Sequence, residues 1–260
     1  MPAAATLPAS GFEVLAGPRY LMRRMAARHL EHQVLLFDEP LSNLDVGLRV
    51  GLRREIRRMQ QRLGITTVYV THDQEEAMAI SDRIAVMNQG LVEQIGTPRE
   101  IYTRPITQFV AHFIGNTVVV DSEVVGRSGP DILVRLGDGV VPVREREAVA
   151  IGDRLWVAVR PEDLVLSQPG RDAREDLAGA RMAPEIAGVA PLPGTLRHLE
   201  DLGNELHGEL SIRGLPVGLR ARLPASGEAA GLHVNDPVNV RLNPVTVKYG
   251  RGVAVGPPPR

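Results

Sequence analysis

Between Val34 and Asp45 the chain reads VLLFDEPLSNLD, and no other stretch restricts its fold as tightly. Four apolar residues in a row, Val34, Leu35, Leu36 and Phe37, lack the alternation of a half-exposed strand, so they predict a strand buried on both faces. The run ends abruptly in two carboxylates, Asp38 and Glu39. Pro40 has no backbone N–H and helps to end the ladder, while Ser42, Asn43 and Asp45 supply a polar turn able to cap a following helix. Paired acids at the carboxyl end of a parallel strand sit where open α/β sheets bind ligands, which suits metal and phosphate chemistry.

Downstream, the spacing predicts a helix over Val46–Leu63, with Leu48, Leu52, Ile56, Met59 and Leu63 forming its apolar stripe. Arg49, Arg53, Arg54, Arg57 and Arg58 lie around the rest of it. With no interleaved aromatic residues to stack bases, this reads as a solvated face and not as a nucleic-acid surface. Gly64 is placed to end the helix, and the β-branched run ITTVYVT, Ile65–Thr71, predicts a second buried strand. His72 stands at its carboxyl end, and Asp73 or Gln74 opens a short helix reaching Ile80. RIAVMN and LVEQIG flank Gln89–Gly90 as a hairpin, and Thr97, Pro98 and Glu100 make a capping-box start for the next helix. From Val118 onward short alternating runs broken by Gly, Pro and Asp predict an all-β region. A Gly/Ala/Pro/Arg-rich insertion is expected near 168–193.

Composition narrows the setting. A formal net charge of −1 gives no global electrostatic case for nucleic acid or an anionic membrane surface. The absence of cysteine excludes disulfides and thiolate metal sites. No apolar run approaches the roughly 18 residues of a membrane span, and the first residues lack a basic segment ahead of an apolar one, so the expected location is cytoplasmic. Lys248 is the only lysine, and Tyr249 follows it. A P-loop, G-x-x-x-x-G-K-[ST], needs its lysine to reach the phosphates, and no segment of this chain matches that pattern.

VLLFDEPLSNLD resembles the Walker B motif and D-loop of ABC-type ATPases, and YVTHDQEEAMAISDRIAVMNQG, Tyr69–Gly90, resembles the switch-histidine segment of the same family. VRPED, Val159–Asp163, and the final VNVRLNPVTV resemble the TOBE domain, an oligonucleotide/oligosaccharide-binding (OB)-like barrel carried by importer ATPases. The resemblance implies an α/β partial P-loop NTPase (ABC-type) domain followed by an all-β OB-like (TOBE) barrel. The expected boundaries are a leftover N-terminal segment over 1–14, the ATPase part over 15–116, the barrel over 117–250 and a tail over 251–260.

For the site, the resemblance implies that Asp38 holds Mg²⁺ through water, that Glu39 is the general base toward the attacking water, and that His72 contacts the γ-phosphate and orients Glu39. Asp45 and Ser42 fall at nucleotide or interface positions. The family's signature L-S-G-G-Q is matched by LAGPR, Leu15–Arg19, where Leu15 and Gly17 fit and Ala16, Pro18 and Arg19 do not. A helix over Leu21–Leu30 should follow it. The implied function is the ATP-binding and ATP-hydrolysing subunit of an ABC importer of the polyamine, iron(III), phosphonate, sulfate or sugar type, with ATP and Mg²⁺ as cofactors. Its implied partners are transmembrane permease subunits and a second ATPase subunit. Without Walker A and the glutamine loop, this chain reads as an N-terminally truncated form unable to bind ATP alone. The alternative is a non-catalytic regulatory module that uses the barrel for an oxyanion or a protein.

Overall fold

A computed structural model describes residues 34–169 except 43, residues 189–251 except 227, 228, 230 and 245, and the backbone of residues 12–15. Gly17, Asn43, the expected helix over Leu21–Leu30 and the interior of the 168–193 insertion lie outside the described residues. The chain forms two compact units, one of residues 1–86 with 95–99 and one of residues 87–94 with 100–260.

In the first unit, β1 (Phe12–Leu15), β2 (Val34–Asp38) and β3 (Thr66–Val70) make a parallel sheet in the order β1-β2-β3. Phe12 pairs with Val34, Val34 with Thr66, and Asp38 with Val70, so the acids of β2 and the chain leaving β3 emerge at the same edge. The strand β1 occupies part of the 1–14 segment expected to be leftover, and Leu15, expected to open the signature, ends it. Helices α1 (Val46–Leu63) and α2 (Gln74–Ile80) cover one face of the sheet. There Leu35, Phe37, Leu41, Leu52, Ile56 and Ile80 form the buried core. Phe37 meets the Tyr69 ring edge-on at a centroid distance of 5.8 Å.

Three expectations are corrected here. Strand β2 is fully buried on one face only: Leu35 and Phe37 are enclosed, while Val34 and Leu36 on the other face are half-buried. The other strand, β3, is an edge strand, with Val68 49% and Val70 53% exposed. Along α1, Leu52 and Ile56 are buried but Leu48 and Leu63 are exposed. The reason is length: 18 helical residues extend about 27 Å, whereas a five-residue strand spans about 17 Å, so both helix ends overhang the sheet.

Strands β4 (Ile84–Asn88) and β5 (Leu91–Gly96) form the expected hairpin, turning through Gln89 and Gly90 at φ 48° and 82°. In the second unit, after α3 (Pro98–Thr103), α4 (Gln108–Gly115) lays Ala111 on Trp156 and Ala158 of the β region. That packing groups α4 with the β region.

The described residues of the β region form ten strands: β6 (Val118–Ser128), β7 (Asp131–Leu136), β8 (Gly139–Arg144), β9 (Arg154–Val159), β10 (Leu164–Ser167), β11 (Leu192–Asp201), β12 (Glu205–Ile212), β13 (Leu219–Pro224), β14 (Pro237–Leu242) and β15 (Lys248–Arg251). They make two five-stranded sheets, β15-β9-β6-β7-β8 and β10-β14-β11-β12-β13, around one shared core that includes Val124, Val134, Val157, Leu196, Leu210 and Val240. Bulges at Val124/Gly126 and at Leu196/His198 bend the two longest strands, and β13 returns against the Pro161–Asp163 turn and β10. The second sheet is therefore nearly closed, as a small barrel requires.

The VRPED motif fastens this region to α3. Its Arg160 is buried, stacks 3.8 Å above the Tyr102 ring, and donates from Nη2 to the Tyr102 carbonyl at 2.6 Å. Arg146 donates to the Thr103 carbonyl at 2.8 Å, and Gln94 to the Arg104 carbonyl at 2.9 Å. Three successive carbonyls at the negative end of a helix thus receive donors, two of them from cations.

Candidate active site

The site forms where β2 and β3 end side by side. Glu39, the first residue past β2, is anchored by its N–H donating to the Val70 carbonyl at 2.9 Å. Its φ of 44° lies in the left-handed region that glutamate rarely adopts. This turn aims the side chain at His72: Glu39 Oε1 lies 2.8 Å from His72 Nδ1. With the proton on Nδ1 the imidazole donates to the carboxylate, leaving Nε2 facing outward. Both side chains are open to solvent, at 45% for Glu39 and 74% for His72. The hydrogen bond from Glu39, reinforced by its charge, raises the His72 pKa above the ordinary imidazole value.

Ser42 donates from Oγ to the Glu39 carbonyl at 3.0 Å, closing the turn after the acids. Asp45 is the N-cap of α1, accepting the Leu48 N–H at 2.9 Å. Asp38 is exposed at the last position of β2.

On the other strand, Asp73 caps α2 by accepting the Glu76 N–H at 3.1 Å, while its own N–H donates to Thr71 Oγ1 at 3.0 Å. Burial pushes the Asp73 pKa up, but the Glu76 amide, the Arg49 guanidinium and the Glu75 amide together hold it below the usual carboxylate value. Beneath the loop, buried Glu76 accepts from Tyr69 Oη and Thr71 Oγ1, each at 3.0 Å. Burial, with the Glu76 charge next to it, raises the Tyr69 pKa strongly.

The structure therefore brings Glu39 and His72 into contact, with Asp38, Ser42 and Asp45 on the same segment, while Gly17 lies outside the described residues. Among the described residues no three acids or histidines converge on a metal site. Asp38 nevertheless fits Mg²⁺, which is commonly held by one or two carboxylates together with water and substrate phosphates.

The arginines of α1 are where sequence reasoning fell short. Arg49 pairs with Asp73 at 3.1 Å, Arg53 with Glu75 at 3.2 Å, and Arg57 with Asp82. Arg54 and Arg58 are exposed, as expected of a solvated face, whereas Arg49, Arg53 and Arg57 make a rung-by-rung contact with α2 and its flanks. No local signal in the sequence pointed to this, because the acids at 73, 75 and 82 do not repeat the four-residue spacing of the arginines.

No family model matches the chain. Among curated proteins it is 46% identical over 169 residues to the Fe(3+) ions import ATP-binding protein FbpC of Rhizobium etli, covering 64% of this chain and 46% of that protein. It is 40% identical over 220 residues to the spermidine/putrescine import ATP-binding protein PotA 1 of Pseudomonas aeruginosa, covering 81% and 55%. It is 39% identical over 235 residues to the sn-glycerol-3-phosphate import ATP-binding protein UgpC of Paracoccus denitrificans, covering 86% and 59%. A crystal structure of the cytoplasmic molybdate-binding protein ModG, with molybdate bound, aligns with 52% of this chain and 96% of its own at 16% identity and a TM-score of 0.38, too distant to carry an argument. The chain spans about half the length of the curated relatives it matches. Over the stretch it shares with them, at identities of 39–46%, the chain belongs to the family of ABC-importer ATP-binding subunits.

Proposed function

We propose that this chain carries the hydrolytic part of an ABC-importer ATPase, together with its accessory barrel; no stretch of its sequence matches the P-loop that grips nucleotide phosphates. The observation that supports it best is the Glu39–His72 contact of 2.8 Å at the ends of two adjacent parallel strands. Glu39 is the general base, its carboxylate open to a water and oriented through its second oxygen by His72. Protonated His72 donates to Glu39 from Nδ1 and offers Nε2–H to a terminal phosphate, and its raised pKa favours that form. Asp38 would hold Mg²⁺, which supplies charge neutralisation to the phosphoryl group when bound. Asp45, Ser42 and Gly17 are proposed as nucleotide or interface positions toward a second ATPase subunit.

Phosphoryl transfer relies on positioning and charge neutralisation, and a chain without a P-loop lysine supplies only part of either. Purified alone, the chain is expected to give no ATP isotherm with Mg²⁺; micromolar affinity abolished by Asp38→Ala or Glu39→Ala would overturn that expectation. Co-expression with the P-loop half of a relative is expected to restore ATP turnover, and Glu39→Gln to remove it. Turnover that survives Glu39→Gln would sink the assignment of the base.

No helix among the described residues is long and apolar enough to cross a membrane. Its similarity to importer ATP-binding subunits supports a location at the cytoplasmic face, held there by permease subunits. Relatives named for iron(III), a polyamine and glycerol 3-phosphate match it at 39–46% identity. Such different cargoes on similar ATPases support the reading that the transported substrate is selected by other subunits.

A further inference from the structure

The base and the histidine sit on different loops, and one side chain of α1 bridges those loops from below. Arg49 has a side chain only 25% exposed. Its Nη2 donates to the Leu44 carbonyl at 3.1 Å, and its Nη1 to Asp73 Oδ2 at 3.1 Å. Its buried Nε has no hydrogen-bond partner and lies 3.9 Å from Glu76 Oε1. Leu44 belongs to the turn that runs from Glu39, through Ser42, to the Asp45 cap, and its own N–H donates to the Leu41 carbonyl. Asp73 directly follows His72. A planar fork with donors in fixed directions therefore sets the distance between the turn after the base and the segment that carries the histidine, whereas an ammonium, with three rotatable donors on a flexible stem, does not hold that geometry.

We infer that Arg49 is a positioning residue that transmits movements of the Leu41–Asp45 turn to His72. The inference rests on the proposed function and adds a route to it: a partner subunit that shifts Asp45 would thereby change how His72 meets Glu39. Arg57, paired with exposed Asp82 two helical turns further along α1, serves as the control.

The test uses the full chain without nucleotide and follows the His72 Cε1–Hε1 resonance by NMR. Asp45→Ala removes the cap and is expected to displace that resonance. In Arg49→Met and Arg49→Lys backgrounds the same change is expected to displace it about twofold less or not at all, and in Arg57→Met by the full amount. Equal displacement in all four backgrounds, or none in the parent chain, would overturn the inference. Amide exchange in Asp45→Ala alone gives a second measure should the Arg49 variants fail to fold: Glu76 N–H, bound to Asp73, is expected to lose protection together with Leu48 N–H. Full protection at Glu76 would equally overturn it. Because no ATP is involved, a failed reassembly of turnover would count against the proposed function and not against this coupling.

Discussion

The His72 imidazole shares a hydrogen with Glu39, so its titration reports directly on the pair. A raised folded-state pKa means that the folded protein binds the proton more tightly than the unfolded chain. The stabilisation is fully present below the ordinary imidazole value and is lost as pH rises through the folded one. Glu39→Gln should bring the NMR titration midpoint down toward about 6.5, and an unchanged midpoint would separate the two residues. Lys248 is the opposite case. Burial, helped by Arg146 and Arg160, lowers its pKa to about 8, so the folded state resists its protonation. The resulting destabilisation is present below about pH 8 and is relieved as pH rises toward the unfolded value, so the denaturation midpoint should climb between about pH 8 and 10. Lys248→Met should flatten that climb. A parallel climb in the variant would assign the effect to other groups.

At the scale of elements, the turns decide more than the strands. Gly64 and Gly137 both hold left-handed backbone, at φ 64° and 60°, but a Cβ on Gly64 meets open space while one on Gly137 would stand 2.3 Å from the Arg213 carbonyl oxygen. Gly64→Ala should cost about 1–2 kcal/mol, and Gly137→Ala distinctly more, since backbone must move. Thermal melts of the two variants would rank them, and equal losses would show that the Arg213 contact is soft. Helix α1, its Asp45 and Gly64 caps and the Gln89–Gly90 hairpin were all legible, because capping and tight turns depend on neighbours in sequence. What escaped was burial. Whether Leu36 or Val68 meets a helix, and whether Arg49 meets water or Asp73, depends on which element crosses which, and no local pattern carries that. The histidine's partner was legible only through resemblance, since 33 residues separate it from Glu39.

Taken whole, the molecule encloses unequal cores. Among the described residues, the main cluster of the first unit has six enclosed side chains, whereas the second encloses a long series from Val120 to Tyr249 around two sheets. Calorimetry should resolve two transitions, the one assigned to the β region at the higher temperature, because burial scales with the apolar surface enclosed. A single sharp transition would mean that the units melt as one. The smaller unit also holds a glutamate in left-handed backbone, Glu39 at φ 44°. Glycine would relax that corner, so Glu39→Gly should melt no lower than the parent chain, whereas glycine at neighbouring Ser42 should melt lower. A polypeptide shaped only to persist has every reason to accept the glycine, and one that carries an acid there is built around what the acid does.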